Sequence, residues 1–165
     1  MRKVSAVMIF AAMLFLFVTS PVYPATRRMI SQNLNRPIEL QRFFQTANLA
    51  AVQAAVESRR LDPTRIFGTD SMLDFAITHI PNFSQEKHLI IKYLIAKGAD
   101  VNHKGNVTSV LCRAVAMSTA DVVNVLLDSG ATNTYNMYGL SLAELAERNR
   151  NLRNTQIISR LQSVK

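Results

Sequence analysis

The sequence predicts an all-α protein built from helical hairpins that follow one another at a near-constant interval. One observation is the stretch from Leu89 to Ala96, whose apolar residues recur at helical spacing and which stops at Gly98. A second is a degenerate copy that ends in Gly130-Ala131, 32 residues further along the chain. A helix that ends in the same turn at a fixed interval indicates a repeated structural unit.

The first helices of the units keep a similar interval. Four equivalent positions follow one another at steps of 33, 38 and 32 residues: Leu40, Leu73, Leu111 and Ala143. Extra residues at 80–85 account for the long middle step, because Pro81 breaks a continuous helix, and Ser84 is predicted to cap the next one. Such an insertion goes to a loop on one face, often a binding face, with a neutral surface extension as the alternative. The units are about 38–67, 68–104, 105–136 and 137–164.

The interval, the Gly-Ala turn and the helix starts together resemble the ankyrin repeat. In the place of that family's Thr-Pro-Leu-His signature stand Ser71-Met-Leu-Asp74, Ser109-Val-Leu-Cys112 and Ser141-Leu-Ala-Glu144, without the histidine. The resemblance implies an ankyrin-type solenoid of about four helix–turn–helix repeats with short connecting fingers, over residues 38–165. It is strongest over residues 69–134, and the first unit has an Arg-Arg pair in place of the Gly-Ala turn.

The serines at these starts predict helix N-caps, because a serine hydroxyl accepts a hydrogen bond from a first-turn amide. Ser141 with Glu144 has the spacing of a capping box, and Ser71 with Asp74 has that of a weaker one. Cys112 takes the position of Asp74 and Glu144 in the third unit, and it has no carboxylate to accept the return hydrogen bond from the serine amide. Three of the predicted units therefore begin with a recognisable helix start.

Residues 1–25 predict a secretory signal peptide. Two basic residues precede an apolar run from Val4 to Val18, which is shorter than the roughly 20 residues that a membrane span needs. We therefore expect export to the periplasm, cleavage at the end of this segment, and a linker over residues 26–37. An uncleaved anchor in the inner membrane is the alternative. With a cut after Ala25, Tyr23 is the third residue before the cleaved bond, and it is larger than signal peptidase prefers there.

Composition and charge exclude several kinds of function. The chain of 165 residues has a formal net charge of +8, which favours acidic partners or anionic envelope polymers. Its basic residues are scattered, and export places them away from nucleic acid, so no nucleic-acid partner is expected. Cys112 is the single cysteine, which excludes an intramolecular disulfide, and it is predicted to be a small buried side chain.

No arrangement of residues indicates catalysis. The three histidines, His79, His88 and His103, lack a partner at metal-ligand spacing and are predicted to be solvated or to lie in loops. The carboxylates are scattered, and helix capping accounts for Asp70 and Asp74. The sequence contains no Gly-rich phosphate loop and no serine in a nucleophile elbow. We therefore expect no enzymatic activity, no cofactor and no metal site.

Candidate partner-binding residues lie in the turns between units, on the first helices and in the insertion. Stacked repeats present the turns and first helices as one concave surface. The turn with Tyr135, Met137 and Tyr138 is the sharpest signal, since aromatic residues are enriched at interface hot spots. Contact of Met137 or Tyr138 with a neighbouring unit is the alternative. The predicted set, a mixed aromatic and basic groove, is Phe67, Phe75, Phe83, His103, Arg113, Met117, Tyr135, Met137 and Tyr138.

These features predict a non-enzymatic periplasmic module that binds one folded protein and is a monomer before it does so. The chain is also similar to small exported bacterial ankyrin proteins. That resemblance implies an inhibitor or self-protection protein for a cell-wall hydrolase, with a periplasmic peptidoglycan hydrolase as the partner. The alternative is a scaffold tethered to the inner membrane by an uncleaved N-terminal anchor. A third hypothesis is direct binding of anionic glycans or lipids through the arginines.

Overall fold

A computed structural model describes residues 33–132, 134–153 and 156–164 of the chain. The predicted signal peptide lies outside the described residues, and so does the predicted linker as far as residue 32.

Within these residues the chain forms eight helices and one two-stranded antiparallel hairpin, in which Phe67 pairs with Asp70. The protein is thus helix-rich with little sheet, in agreement with the predicted all-α class. In chain order the elements are α1 (Pro37–Gln45), α2 (Leu49–Glu57), β1 (Ile66–Phe67), β2 (Asp70–Ser71), α3 (Met72–His79), α4 (Lys87–Ala96), α5 (Val110–Met117), α6 (Ala120–Asp128), α7 (Leu142–Arg148) and α8 (Ile157–Leu161).

The helices contact one another in the order in which they occur. The first helix of each hairpin contacts the first helix of the next, α1 on α3, α3 on α5 and α5 on α7. The second helices do the same, α2 on α4, α4 on α6 and α6 on α8. Within hairpins, α3 contacts α4, α5 contacts α6 and α7 contacts α8. Each hairpin therefore packs against its neighbours along the chain.

The core accounts for this order, because α1, α3 and α5 bury residues at the same spacing. Each has a fully buried leucine, followed at the third and fourth positions by two more buried side chains, which is the spacing of one helix face. These triplets are Leu40, Phe43 and Phe44; Leu73, Ala76 and Ile77; and Leu111, Ala114 and Val115. Cys112 is also buried, as predicted, and its burial raises the pKa of the thiol.

The predicted serine N-caps are formed, with one exception. Ser71 Oγ accepts from the amide of Asp74 at 3.2 Å, and the Asp74 carboxylate accepts from the amide of Ser71 at 2.9 Å. Helix α7 begins with the same reciprocal pair. The exception is Ser84, because Glu86 is the N-cap of α4 and has no side-chain cap. Ser84 Oγ instead accepts from the amide of Glu86 at 3.2 Å, one turn before the helix begins.

The turn after α4 recurs after α6. Gly98 and Gly130 have positive φ angles of 99° and 85°, and the alanine after each donates its amide to the carbonyl five residues earlier at 3.0 Å. The structure corrects the prediction that the first unit lacks this turn. Arg59 takes the position of the glycine after α2, with a φ of 56°. The amide of Arg60 then donates to the carbonyl of Ala55, five residues earlier, at 2.9 Å. The backbone bond is therefore retained although the glycine is not.

Candidate protein-binding site

Three turns, here called fingers 1, 2 and 3, connect consecutive hairpins. They are residues 65–71, 103–109 and 135–141. Finger 1 is the β1–β2 hairpin. Finger 2 is closed by a single antiparallel bridge between Lys104 and Ser109. Finger 3 turns at Gly139, whose φ is 65° and whose amide donates to the carbonyl of Asn136 at 3.3 Å. Each finger ends at the serine that begins the next first helix.

The fingers are joined to one another by hydrogen bonds. Between fingers 2 and 3, the amide of Ser109 donates to the carbonyl of Tyr135 at 2.7 Å, and the amide of Met137 donates to that of Val107 at 2.8 Å. Between fingers 1 and 2, His103 Nε2 lies 2.9 Å from the carbonyl oxygen of Thr69. The three fingers therefore form one continuous surface, and His103 is engaged within it.

The tip of finger 3 projects two large side chains into solvent. Met137 is 59% exposed and Tyr138 is 68% exposed, so neither is covered by a neighbouring unit. Ile66 in finger 1 and Val107 in finger 2 are also exposed. We call these four residues the finger patch. Exposed apolar side chains that lie near one another, unlike isolated ones, mark interaction sites, and the backbone hydrogen bond between Met137 and Val107 brings the tips of fingers 2 and 3 together.

Two cations lie over aromatic rings beside the finger patch. Lys104 Nζ is 3.9 Å from the centre of the Tyr135 ring, and Arg65 Cζ is 4.8 Å from the centre of the Phe67 ring. Such pairs contribute about 0.5–1 kcal/mol each at exposed sites. The hydroxyl of Tyr135 also donates to the carbonyl of Asn106 at 3.2 Å. Tyr135 and Phe67 are therefore half-buried supports for the cations.

An aromatic row runs from finger 1 along α3. The ring centres of Phe67 and Phe75 are 5.1 Å apart, and those of Phe75 and His79 are 5.5 Å apart. His79 is half-buried at the end of α3, so the prediction of a solvated or loop histidine is wrong here. Burial lowers the pKa of His79, Arg113 lowers it further, and Asp70 opposes them. The imidazole is accordingly neutral at pH 7.

Arg113, a predicted partner contact, is engaged inside the protein. Its Nε lies 2.8 Å from Asp74 Oδ1, and its Nη2 lies 2.9 Å from Asp70 Oδ1. The side chain of Arg113 is 18% exposed and that of Asp74 is 1% exposed. These ion pairs join α5 to α3 and to finger 1. The two carboxylates therefore do more than cap a helix, because they neutralise a guanidinium that is shared between units.

Phe83 and Met117 lie at the other end of the first helices. Phe83 is 87% exposed in the connection between α3 and α4, and Met117 is 43% exposed at the last position of α5. Finger 2 enters α5 at its first residue, so the eight residues of α5 separate Met117 from the finger by about 10 Å. We call Phe83 and Met117 the loop patch. The predicted site residues thus form two groups.

The sequence interpretation missed Lys87, which orders the loop patch. Its side chain is buried, and its Nζ donates to the carbonyls of Ile77 and Ile80 at 2.7 and 2.8 Å and to Asn82 Oδ1 at 2.7 Å. Asn82 Nδ2 in turn donates to the carbonyl of Met117 at 2.7 Å. Burial lowers the pKa of Lys87 to about 8. The available signal was a lysine at the first position of a helix, where the macrodipole disfavours a cation.

The side chain of Asn149 donates to carbonyls at the end of α5, as that of Lys87 does at the end of α3. Its Nδ2 donates to the carbonyls of Val115 and Ser118 at 2.9 and 2.8 Å. These carbonyls lie 38 positions after the two that Lys87 binds, so they are their counterparts in the next unit. The carbonyls at the end of a helix have no partner within it. At α3 and α5 a buried side chain supplies that partner.

In the part of the chain that the structure describes, no three His, Cys, Asp or Glu side chains are grouped so as to hold a metal ion. Among the same residues, no helix has the length and apolar character needed to cross a membrane. The chain matches no protein-family model, no curated protein and no solved structure. The ankyrin resemblance therefore depends on the motifs and the helix order described above.

Proposed function

We propose that the chain is a non-enzymatic protein-binding module, built as an ankyrin-type solenoid of about four helix–turn–helix repeats. Three features support this architecture. First and second helices contact their counterparts in chain order, the same turn recurs at Arg59, Gly98 and Gly130, and successive fingers adjoin. Stacked repeats of this kind use an extended surface for binding.

The proposed binding role depends mainly on the exposure of the finger patch. Its four apolar side chains are exposed, while hydrogen bonds between fingers hold the backbone of Val107 and Met137 in place. A surface that is ordered before binding loses little conformational entropy when the partner arrives. Tyrosine and methionine are also enriched at interfaces relative to the rest of a protein surface. Met137 and Tyr138 are exposed in the isolated chain, and we propose that a folded partner covers them in the complex.

We propose further that this module acts in the periplasm as an inhibitor or self-protection protein for a peptidoglycan hydrolase. The support is the predicted signal peptide over residues 1–25 and the resemblance to small exported bacterial ankyrin proteins. The alternative is a scaffold tethered to the inner membrane. Sequencing the N-terminus of the cellular protein separates the two, because a start near Thr26 excludes the tether and a start at Met1 excludes a free periplasmic protein.

Crosslinking in cells, followed by recovery of the protein with its partner, tests the binding role. We expect one stoichiometric envelope protein, whose hydrolase activity falls when the purified module is added. The double variant Met137→Ala/Tyr138→Ala should lower recovery at least about tenfold, because hot-spot truncations cost more than about 1 kcal/mol each.

Leu89→Ala is the matched control, since Leu89 is an exposed apolar residue on α4, a second helix that no finger enters. Equal recovery with the control and the double variant would place the site elsewhere. If no stoichiometric complex forms with any envelope protein, the proposed function is wrong.

A further inference from the structure

Given the binding role above, we propose that the partner that covers the finger patch also covers the loop patch, and that Phe83 inserts into an apolar recess on its surface. Three observations support a second anchor at this place. Phe83 stands clear of the surrounding surface, hydrogen bonds fix the loop that carries it, and Met117 faces solvent where the next unit has an inward-facing asparagine.

The exposure of Phe83 indicates the shape of the surface that covers it. At 87% it is the most exposed large hydrophobic side chain among the residues that the structure describes. A flat surface would cover one side of such a ring, whereas a recess covers most of it. The interface residues with the largest energetic effect are often aromatic side chains that fill pockets. We therefore expect the partner to have a concave apolar site that takes one phenyl ring.

Phe83 lies between two residues that are held in place. On one side, Asn82 Nδ2 donates to the carbonyl of Met117 at 2.7 Å, which joins the loop to the end of α5. On the other side, the amide of Ser84 donates to the carbonyl of Pro81 at 3.1 Å and closes a turn around the phenylalanine. The backbone that carries the ring is thus ordered before binding, so little conformational entropy is lost when the partner arrives.

Met117 occupies the position that Asn149 has in the next unit. Each is the eighth residue after the serine that caps the first helix of its unit. The side chain of Asn149 turns inward and binds two carbonyls at the end of α5, whereas that of Met117 is 43% exposed. The corresponding carbonyls at the end of α3 are bound by Lys87 instead.

This exchange lowers the stability of the isolated chain. Lys87 buries an ammonium group, and the burial lowers its pKa to about 8, which means that the fold disfavours the charged amine. Asn149 binds its two carbonyls with a neutral amide and buries no charge. The exchange leaves Met117 free to face solvent in the unit next to Phe83. Proteins keep such losses of stability at sites that function requires, and contact with a partner is the function proposed for these two side chains.

One partner can reach both patches. Met117 lies one turn after Arg113 and so on the same face of α5, and Arg113 Nη2 lies 2.9 Å from Asp70 Oδ1 in finger 1. About 10 Å of helix separates Met117 from finger 2. A standard interface covers roughly 800 Å² of each partner, which is a patch roughly 30 Å wide. The loop patch therefore lies within the width of a single interface that includes the finger patch.

Photocrosslinking in cells tests the proposal, with p-benzoyl-phenylalanine placed singly at position 83 or 138 of the full-length protein. We expect both positions to trap the same protein through two different peptides, with the peptide trapped at position 83 lining an apolar recess. Position 92, exposed on α4, is the control and should trap neither peptide. With the crosslinker at position 138, Phe83→Ala should lower the yield about tenfold or more, and Lys92→Ala should leave it unchanged.

The outcomes separate the second anchor from the binding role itself. The urea midpoint of Phe83→Ala should equal that of the wild type, because the ring is exposed, so a lower yield reports binding and not folding. A partner trapped at position 138 alone, a different protein or a second copy of the chain trapped at position 83, or an unchanged yield for Phe83→Ala would overturn the second anchor and leave the binding role standing. If neither position traps a protein, the second anchor is also overturned, and recovery of the stoichiometric complex decides whether the binding role falls with it.

Discussion

The two ends of the first helices join neighbouring units in different ways. At the finger end the backbone links fingers 2 and 3, since the amide of Met137 donates to the carbonyl of Val107, while the ring of His103 links finger 2 to finger 1. At the loop end side chains provide it, since Asn82 and Asn149 each donate to a carbonyl of another unit and Lys87 holds Asn82 in place.

This difference separates positions that tolerate substitution without loss of stability from positions that require one residue type. A backbone hydrogen bond forms with almost any side chain, so side chains such as Val107 and Met137 can face a partner without weakening the link between fingers 2 and 3. A side-chain hydrogen bond requires one residue type, so the loop end has less freedom. We therefore expect substitutions at the finger tips to change binding, and substitutions of the linking side chains to change stability.

The largest expected effect tests the ion pairs of Arg113 beneath finger 1. Arg113→Ala leaves the buried carboxylate of Asp74 without its guanidinium, so the free energy of unfolding should fall by about 3–5 kcal/mol, measured by urea denaturation. Asp70→Asn leaves the buried pair intact and removes a half-exposed one, so its loss should be about 1 kcal/mol or less. Equal losses for the two variants would mean that burial of the Asp74 pair is not what joins α3 to α5.

The second effect tests the loop end and depends on pH. The pKa of Lys87 is about 8 in the folded protein, against an ordinary value of 10.5. Below pH 8 both the folded and the unfolded states bind the proton, so burial of the charge lowers stability in full. Between pH 8 and 10.5 only the unfolded state keeps the proton. The free energy of unfolding should therefore rise with pH across this window, by about 3 kcal/mol in total.

Urea denaturation at several pH values across that window measures the rise, and Lys87→Met should remove the part that belongs to this residue. Lys92→Met, at an exposed position of the same helix, should leave the rise in place. NMR titration of the lysine side chains provides a direct check, with one lysine titrating near pH 8. A Lys87 midpoint at its ordinary value would contradict the burial of a charged amine at this site.

The features that the sequence predicts correctly are local ones. The serine caps at Ser71 and Ser141 and the turns at Gly98 and Gly130 depend on residues within about five positions of each other, so their spacing is visible in the chain. The link made by Arg113 is not local, because it reaches a carboxylate 43 positions away. Only the stacking of α5 on α3 brings those residues together.

The candidate site shows the same limit. The sequence interpretation places Met137 and Tyr138 in an exposed turn, and the structure has them exposed. It also assigns Phe83 and Met117 to the same groove, whereas these lie at the opposite helix ends from the fingers. Residue spacing indicates which residues share a helix. It does not indicate which end of the stack a connecting loop occupies, since that depends on how the hairpins pack.

The smallest expected effect tests whether the turns that lead into the fingers need a particular side chain. Arg59 has a φ of 56°, and a residue with a Cβ is less stable there than glycine by about 1–2 kcal/mol. Glycine also gives the unfolded chain more freedom, which offsets part of that gain. Arg59→Gly should therefore raise the free energy of unfolding by about 0.5 kcal/mol, seen as a higher urea midpoint with an unchanged slope.

Gly130→Ala is the reciprocal change, because an added Cβ there meets nothing within 4 Å while φ is 85°. Backbone strain without a clash should lower the free energy of unfolding by about 0.5–1 kcal/mol. Opposite shifts in the two variants would mean that the finger end requires a backbone conformation and no particular side chain. A loss of stability in Arg59→Gly would mean that the arginine side chain itself holds the first turn, and the contrast between the two ends would then not extend to the first unit.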